Sequence, residues 1–233
     1  MSISQPYDVN FYYPVKELEN ERVKLTPFIP SIHGEPFFEE TRRHPEIYDY
    51  LSFGPFDEYS TFTNIVLNGR IQRDPGIILF AVLDKEINPS LTFAGVIGLL
   101  NTVPENLSTE IGFVITFPAF QRTHVTTNMV GLLLQWCFGL RRDGGLGLRR
   151  VQWQTNELNI KSRKAAERMG FKFEMVQRWQ VVLSEGKKGV DVSTLQQDGT
   201  KGRPGRHSVI LSICWDEWEV ERDRIREIMG RQG

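Results

Sequence analysis

The sequence predicts a mixed α/β fold, a mostly antiparallel sheet with helices packed on it. Three apolar segments follow one another closely, Ile77–Leu83, Thr92–Asn101 and Thr109–Thr116. The turn residues Asn88-Pro89-Ser90 and Pro104-Glu105-Asn106 separate them, which is the spacing of an antiparallel meander. Behind the meander, helical and strand patterns alternate to the end of the chain, and the two patterns together make one mixed sheet.

Taken in order, residues 1–20 show no period and read as an arm whose aromatics (Tyr7, Phe11, Tyr12, Tyr13) pack elsewhere. Arg22 to Phe28 alternates as a first strand. Pro30-Ser31 opens a helical stretch to about His44, followed by a segment punctuated by Pro and Gly, Tyr48 to Phe56. Ser60 is placed to cap a second helix with Phe62, Ile65, Val66 and Leu67 as its apolar positions. After the meander, Thr123 to Leu140 is helical, with Met129, Leu132, Leu133, Trp136 and Cys137 on one face, and Gly144-Gly145 breaks it. Arg150–Thr155 reads as a strand, Asn159–Met169 as a helix stopped by Gly170, and Phe171–Leu183 as a strand. Residues 184–207 turn to Gly, Lys, Asp, Ser and Gln and read as a long flexible loop. A last strand, Ser208–Cys214, precedes a helix from Asp216 to Met229 in which Trp218, Ile225 and Met229 are available for docking. Residues 21–233 thus form one domain behind the arm.

Bulk properties exclude more than they assign. A content of 40% hydrophobic and 24% charged residues over 233 positions is that of an ordinary globular protein. With 28 basic and 29 acidic side chains the formal charge is −1, which gives a nucleic-acid partner no support. Cys137 and Cys214 sit in apolar segments as buried thiols, and His33, His44, His124 and His207 have no metal-ligand spacing, so no metal is expected. Neither a secretory start nor a run of membrane-spanning length is present in the sequence, and the expected location is cytoplasmic with no membrane partner.

The stretch that carries chemistry runs from Glu110 to Thr127. A strand ends near Thr116, a short loop follows, and a helix starts near Thr123. The first N–H groups of a helix lack partners and carry positive partial charge, so a phosphate can rest there. A plain structural crossover would look the same.

Further residues narrow this. Glu110-Ile-Gly-Phe113, Pro118, Gln121-x-x-His124-x-Thr126, Thr155-Asn-Glu-Leu-Asn-Ile-Lys-Ser162 and Glu167-Arg-Met-Gly-Phe171, in that order, resemble the GNAT acetyltransferases. The similarity is nearest to the branch that includes the ribosomal-protein N-terminal acetylases. Glu21-Arg-Val-Lys-Leu-Thr-Pro27 and His44-Pro-Glu-Ile47 also resemble that branch, and the likeness spans roughly residues 20–215. It implies helices on both faces of the sheet, a splay between two central strands, and acetyl-CoA as co-substrate in the gap. The pantetheine arm would pair with the backbone of Phe113, Val114 and Ile115 as an added strand. The pyrophosphate would rest on Gln121, Arg122, Thr123, His124, Val125 and Thr126, and Asn156, Asn159 and Ser162 would line the other wall. His124 and Thr126 stand where the family usually has small residues, and Asn128 where an acidic one is frequent. Arg122, Thr123 and His124 then offer side-chain donors to phosphate; the alternative is a solvated Arg and a capping Thr.

For catalysis the resemblance implies Glu110 as the carboxylate that deprotonates the amine, directly or through water, with a sheet-edge charge as the alternative. An N–H near Val114 or Ile115 would polarise the thioester carbonyl. The tyrosine that relatives place after Gly-Phe is replaced by Lys172 and Phe173, which leaves Ser162 to protonate the thiolate. An imidazole is the usual residue type for a base near neutral pH, but the position of His124 favours binding or capping over base catalysis. Asp57, Glu58 and Tyr59, with the aromatic Tyr48–Tyr59 segment, lie where relatives cover the acceptor. The expected reaction is direct acetyl transfer to the primary amine of a small molecule, with a protein N-terminus, or a non-catalytic acyl-CoA-binding or assembly protein, as alternatives. The last strand and helix offer a homodimer surface.

Overall fold

The computed structural model describes residues 9–87, 91–190 and 203–231. Eight strands form one sheet: β1 (Leu18–Glu19), β2 (Val23–Pro27), β3 (Ile78–Asp84), β4 (Thr92–Val103), β5 (Ser108–Thr116), β6 (Arg150–Asn156), β7 (Lys172–Val182) and β8 (Gly205–Cys214). Their order across the sheet is β1-β2-β3-β4-β5-β6-β8-β7. Every neighbouring pair is antiparallel except β5 and β6, which run parallel. The helices are α1 (Glu35–Arg43), α2 (Tyr59–Phe62, running on in π-helical form over Thr63–Ile71), α3 (Val125–Phe138), α4 (Ile160–Arg168) and α5 (Trp215–Gly230).

The expected mixed, mostly antiparallel sheet is therefore present. In β3 the consecutive residues Ile78, Leu79, Phe80, Ala81 and Val82 are all buried, which requires cover on both faces. Helix α3 is buried nearly all round rather than on one stripe, because α5 lies on its outer side. There Phe138 and Trp218 stack at 4.8 Å. Gly131 permits the contact: a Cβ at that position would come within 2.3 Å of Met229 Sδ. Trp218, Ile225 and Met229 are thus used inside the molecule, and β8 lies between β6 and β7, while Trp215 and Val220 of the same helix stay exposed.

Several boundaries differ from expectation for identifiable reasons. Leu18–Glu19 pairs with Leu25 and Lys24, so the arm contributes an edge strand too short to show a period. Glu58, not Ser60, precedes the second helix, and the Ser60 hydroxyl donates to Glu58 instead. Ile65 is exposed, since the π-helical winding rotates it off the buried side taken by Phe62, Val66 and Leu67. Strand β8 begins at Gly205, inside the stretch read as loop, because Gly205 and Arg206 pair with Val182 and Val181 through the backbone without an apolar signature. Tyr7, the Asn88–Ser90 turn and residues 191–202 of the expected loop lie outside the described residues.

Candidate active site

Strands β5 and β6 are paired only from Ser108↔Arg150 to Ile111↔Trp153. Beyond that, β5 stays with β4 as far as Thr116, and β6 stays with β8 as far as Asn156. The two strands therefore part, and a wedge opens in which residues 112–116 have no partner strand on the β6 side among the described residues.

The cause is a bulge. Between Val96↔Ile115 and Gly98↔Gly112, Ile97 of β4 faces two residues of β5, Phe113 and Val114. An extra residue bends its strand, and Phe113 takes φ 49°, a costly conformation for an aromatic residue. On the facing strand Gly95 is required: a Cβ there would lie 2.0 Å from the carbonyl oxygen of Ile115.

The wedge continues into a cleft of about 150 Å³. Glu110, Phe113, Val114, Asn156, Asn159 and Ser162, all singled out by sequence, line it. Ile115 and the loop from Gln121 to Thr126 lie outside this lining, farther along the wedge. Arg70, Arg206, Trp153 and Gln154 also line the cleft and carry no motif in the sequence.

Glu110 is 8% exposed. Its Oε2 accepts from Asn101 Nδ2 at 2.9 Å and from Gln152 Nε2 at 3.2 Å. Burial pushes its pKa above the ordinary carboxyl value, against the opposing pull of those two amides and of Arg206 and Arg70. A carboxylate raised in this way is a better proton acceptor than a free one. Ser162 accepts a hydrogen bond from Trp153 Nε1 at 3.0 Å, which leaves its own proton free to donate.

Asn159 is the N-cap of α4, its Oδ1 accepting from Ser162 N at 3.1 Å. That bond fixes the residue carrying the candidate acid. Asn159→Ala is expected to cost about 1 kcal/mol of stability and, by freeing Ser162, to weaken binding of acetyl-CoA; thermal unfolding with and without the ligand reads both. Asn156 is committed differently, accepting from Leu158 N at 3.0 Å and donating to the Lys188 carbonyl at 3.2 Å.

In the loop before α3 the large residues turn away from the wedge. His124, its side chain 6% exposed, puts Nε2 at 3.0 Å from Asp84 and Nδ1 at 3.2 Å from Glu86. Thr126 shares a 2.8 Å hydrogen bond with Thr116. Thr123 donates to the Phe120 carbonyl at 2.6 Å and accepts from Val125 N, the role of a cap. Gln121 donates to the carbonyl of Thr116 at 3.2 Å, while Arg122 is exposed at φ 64°. Of the three expected side-chain donors, the structure thus leaves only Arg122 without a protein partner among the described residues. Asn128 also gains an explanation: it donates to the His124 carbonyl, accepts from Asn20 at 2.7 Å, and so fastens the loop to the N-terminal arm.

The roof is aromatic, with Tyr50, Leu51 and Phe53 over the cleft. Lys187, from the described part of the long loop, donates to the carbonyls of Tyr48 at 2.7 Å and Phe53 at 3.0 Å and holds this segment down. Asp57, Glu58 and Tyr59 do not line the cleft; Tyr59 packs on Phe38 and Phe62 instead. Among the described residues no group of three or more His, Cys, Asp or Glu is placed to hold a metal, and no helix is long and apolar enough to cross a membrane.

A sheet split to receive an extended chain, with a buried carboxylate on one wall and a free hydroxyl on the other, defines an enzyme of the acyl-transfer class. The chain belongs to the GNAT acetyltransferases: the family model for the Acetyltransferase (GNAT) domain matches residues 22–172. Among solved structures it is similar to a GCN5-related N-acetyltransferase from Brucella melitensis, 25% identical, with a TM-score of 0.74 over 93% of this chain and 90% of that one. Two more distant structures share the fold. The ribosomal-protein-S5-alanine acetyltransferase from Vibrio fischeri is 16% identical, with a TM-score of 0.61 over 88% of this chain and 99% of that one. The spermidine N-acetyltransferase from Vibrio cholerae, solved with CoA and spermine, is 15% identical, with a TM-score of 0.58 over 86% of this chain and 99% of that one. No curated protein matches the sequence.

Proposed function

We propose that this acyltransferase moves the acetyl group of acetyl-CoA to the primary amine of a small molecule. The observation that carries the reading is the parting of β5 and β6 exactly where Glu110 and Ser162 face one cleft. The β6-side edge of residues 112–116 suits the amides of a pantetheine arm, and the first turn of α3, with exposed Arg122 beside it, suits the pyrophosphate. The amine nitrogen attacks the thioester carbonyl carbon; the C–N bond forms and the C–S bond breaks, its electron pair leaving with sulfur. Glu110 takes the proton the amine loses and passes it to solvent, and Ser162 gives its hydroxyl proton to the thiolate and regains one from solvent. The backbone of the bulge at Val114 and Ile115 is the nearest source of an N–H for the carbonyl oxygen.

The small size of the cleft, about 150 Å³ beside Tyr50, Leu51 and Phe53, favours a small acceptor over a protein N-terminus. A cytoplasmic site of action fits a co-substrate made and used there. The first test is thermal unfolding with acetyl-CoA. At 100 times its Kd the ligand adds about 2.7 kcal/mol, a rise of roughly 5–10 °C for a chain of this size. No rise at saturating ligand would overturn the reading, whereas a rise without turnover of any amine would select a non-catalytic acyl-CoA-binding protein.

A further inference from the structure

Two guanidinium groups enter the cleft on the side of the sheet that carries Glu110. The register places them there. Glu110 is opposite Gln152, and Gln152, Gln154 and Asn156 are opposite Ser212, Ile210 and Ser208. Alternate residues of a strand share a face, so Arg206 projects with Glu110, away from Trp153 and the α4 helix that Trp153 touches. Arg70, at the end of the helical segment after α2, reaches the same cleft over the rings of Phe113 and Phe53, at 5.3 and 5.9 Å.

Among the described residues neither arginine has an anion of its own in the cleft. The Glu110 Oε2 is held by Asn101 and Gln152, and the one carboxylate acts on both arginines without an ion-pair contact to either among the described residues. Arg206 Nε is buried with no hydrogen-bond partner among the described residues. Asp74 acts on Arg70 but stands outside the cleft lining, where it accepts from Gly76 N. Two cations therefore face one carboxylate, and they repel one another. Crowding by protein atoms lowers the pKa of both, Arg70 despite its surface being open to the cleft. An unpaired buried donor such as Arg206 Nε is costly unless a ligand answers it, and exposed Arg70 adds a second positive charge to the same cleft. A polyamine would add a third cation to this place.

We propose that the acceptor is an amine bearing a carboxylate, which Arg70 and Arg206 receive together while Glu110 is left to the amine. This rests on the acetyltransferase reading above and names its substrate class. Planar guanidinium groups bind carboxylate through paired hydrogen bonds, and the phenyl rings of Phe53 and Phe113 beside Arg70 give an apolar acceptor side chain a surface.

The test compares phenylalanine, phenylalaninamide and 2-phenylethylamine, which share the amine and the ring and differ at the carboxylate. Spermidine serves as the cationic probe and O-phosphoethanolamine as the phosphate probe. Turnover is measured with acetyl-CoA, and binding to the CoA-loaded protein is measured by calorimetry. The expected kcat/KM for phenylalanine exceeds that for the amide roughly tenfold to hundredfold, the worth of one charge-assisted pair. Arg206→Gln and Arg70→Gln should each remove most of that preference through KM, and Arg206→Lys should restore part of it. All three variants should keep the rise in unfolding temperature with acetyl-CoA, which shows that fold and cofactor site are intact. Equal or better use of the amide, the amine or spermidine overturns the proposal, as does a preference that survives both Gln variants. Stronger, arginine-dependent use of O-phosphoethanolamine replaces carboxylate by phosphate. If no acetyl-CoA response is seen in the unmodified protein, the acetyltransferase reading itself fails; if acetyl-CoA binds but phenylalanine does not, this proposal alone fails.

Discussion

Glu110→Gln is expected to lower kcat roughly 10²–10⁴-fold, the usual contribution of a positioned general base, with acetyl-CoA binding unchanged. The same variant should be more stable than the unmodified protein at neutral and alkaline pH. Burial holds the Glu110 carboxyl above its ordinary pKa, so the folded state binds this proton more tightly than the unfolded state does. Its contribution to stability is then fully present below the unfolded carboxyl value and is lost as pH rises through the folded one. Glutamine does not titrate. The difference in unfolding temperature between variant and parent should therefore be near zero at low pH and should grow in favour of Gln across that window. Activity should rise over the same window as the base ionises. Unfolding curves and kcat against pH check both limbs. Full activity in the variant, or a stability difference with no pH dependence, would remove Glu110 from its role.

The second large effect is expected at His124. Its ring lies between the fully buried Asp84 carboxylate and Glu86. Asp84 Oδ1 accepts from the N–H groups of Glu86 and Ile87; Oδ2 lies 3.0 Å from His124 Nε2 at ion-pair distance, and among the described residues neither of these two atoms completes a hydrogen bond. His124→Ala removes the ring that faces that buried oxygen, a change that costs about 3–5 kcal/mol when a buried ion pair loses one member. A fall of roughly 10 °C in unfolding temperature follows. Because the ring also anchors the segment between β5 and α3, acetyl-CoA affinity should drop with it. Adding Asp84→Asn should recover part of the loss, since neighbours in contact are not additive. A loss below about 1 kcal/mol would mean that water reaches Asp84 and the pair carries little.

The contrast between His124 and Ser162 shows what the sequence made legible. The apolar runs of β3 to β5 and the capped helix from Asn159 were readable because period and turn chemistry agree there. The motif residues Glu110, Asn159 and Ser162 were readable through family resemblance, and they meet in one cleft. The direction of the His124 side chain was not readable, because it depends on Asp84, forty residues earlier and on the far side of two strands. Arg70 and Arg206 were hidden for a related reason. Each belongs to a locally unremarkable polar stretch, and only the pairing of β6 with β8 carries Arg206 to the face of Glu110. The β5 bulge left no sequence mark either, since Phe113 is a poor residue for a positive φ.

The short ladder between β5 and β6 has a mechanical consequence. The sheet is two leaves, β1 to β5 and β6 to β7, hinged along four residue pairs. Helix α5 leaves the second leaf after β8 and clasps the first by lying on α3. Hinge and clasp stand at a distance from the wedge yet set how wide it stands. A change of volume at Gly131 or Trp218, where α5 seats on α3, would act as a lever on the gap between the leaves without touching a single residue that lines it.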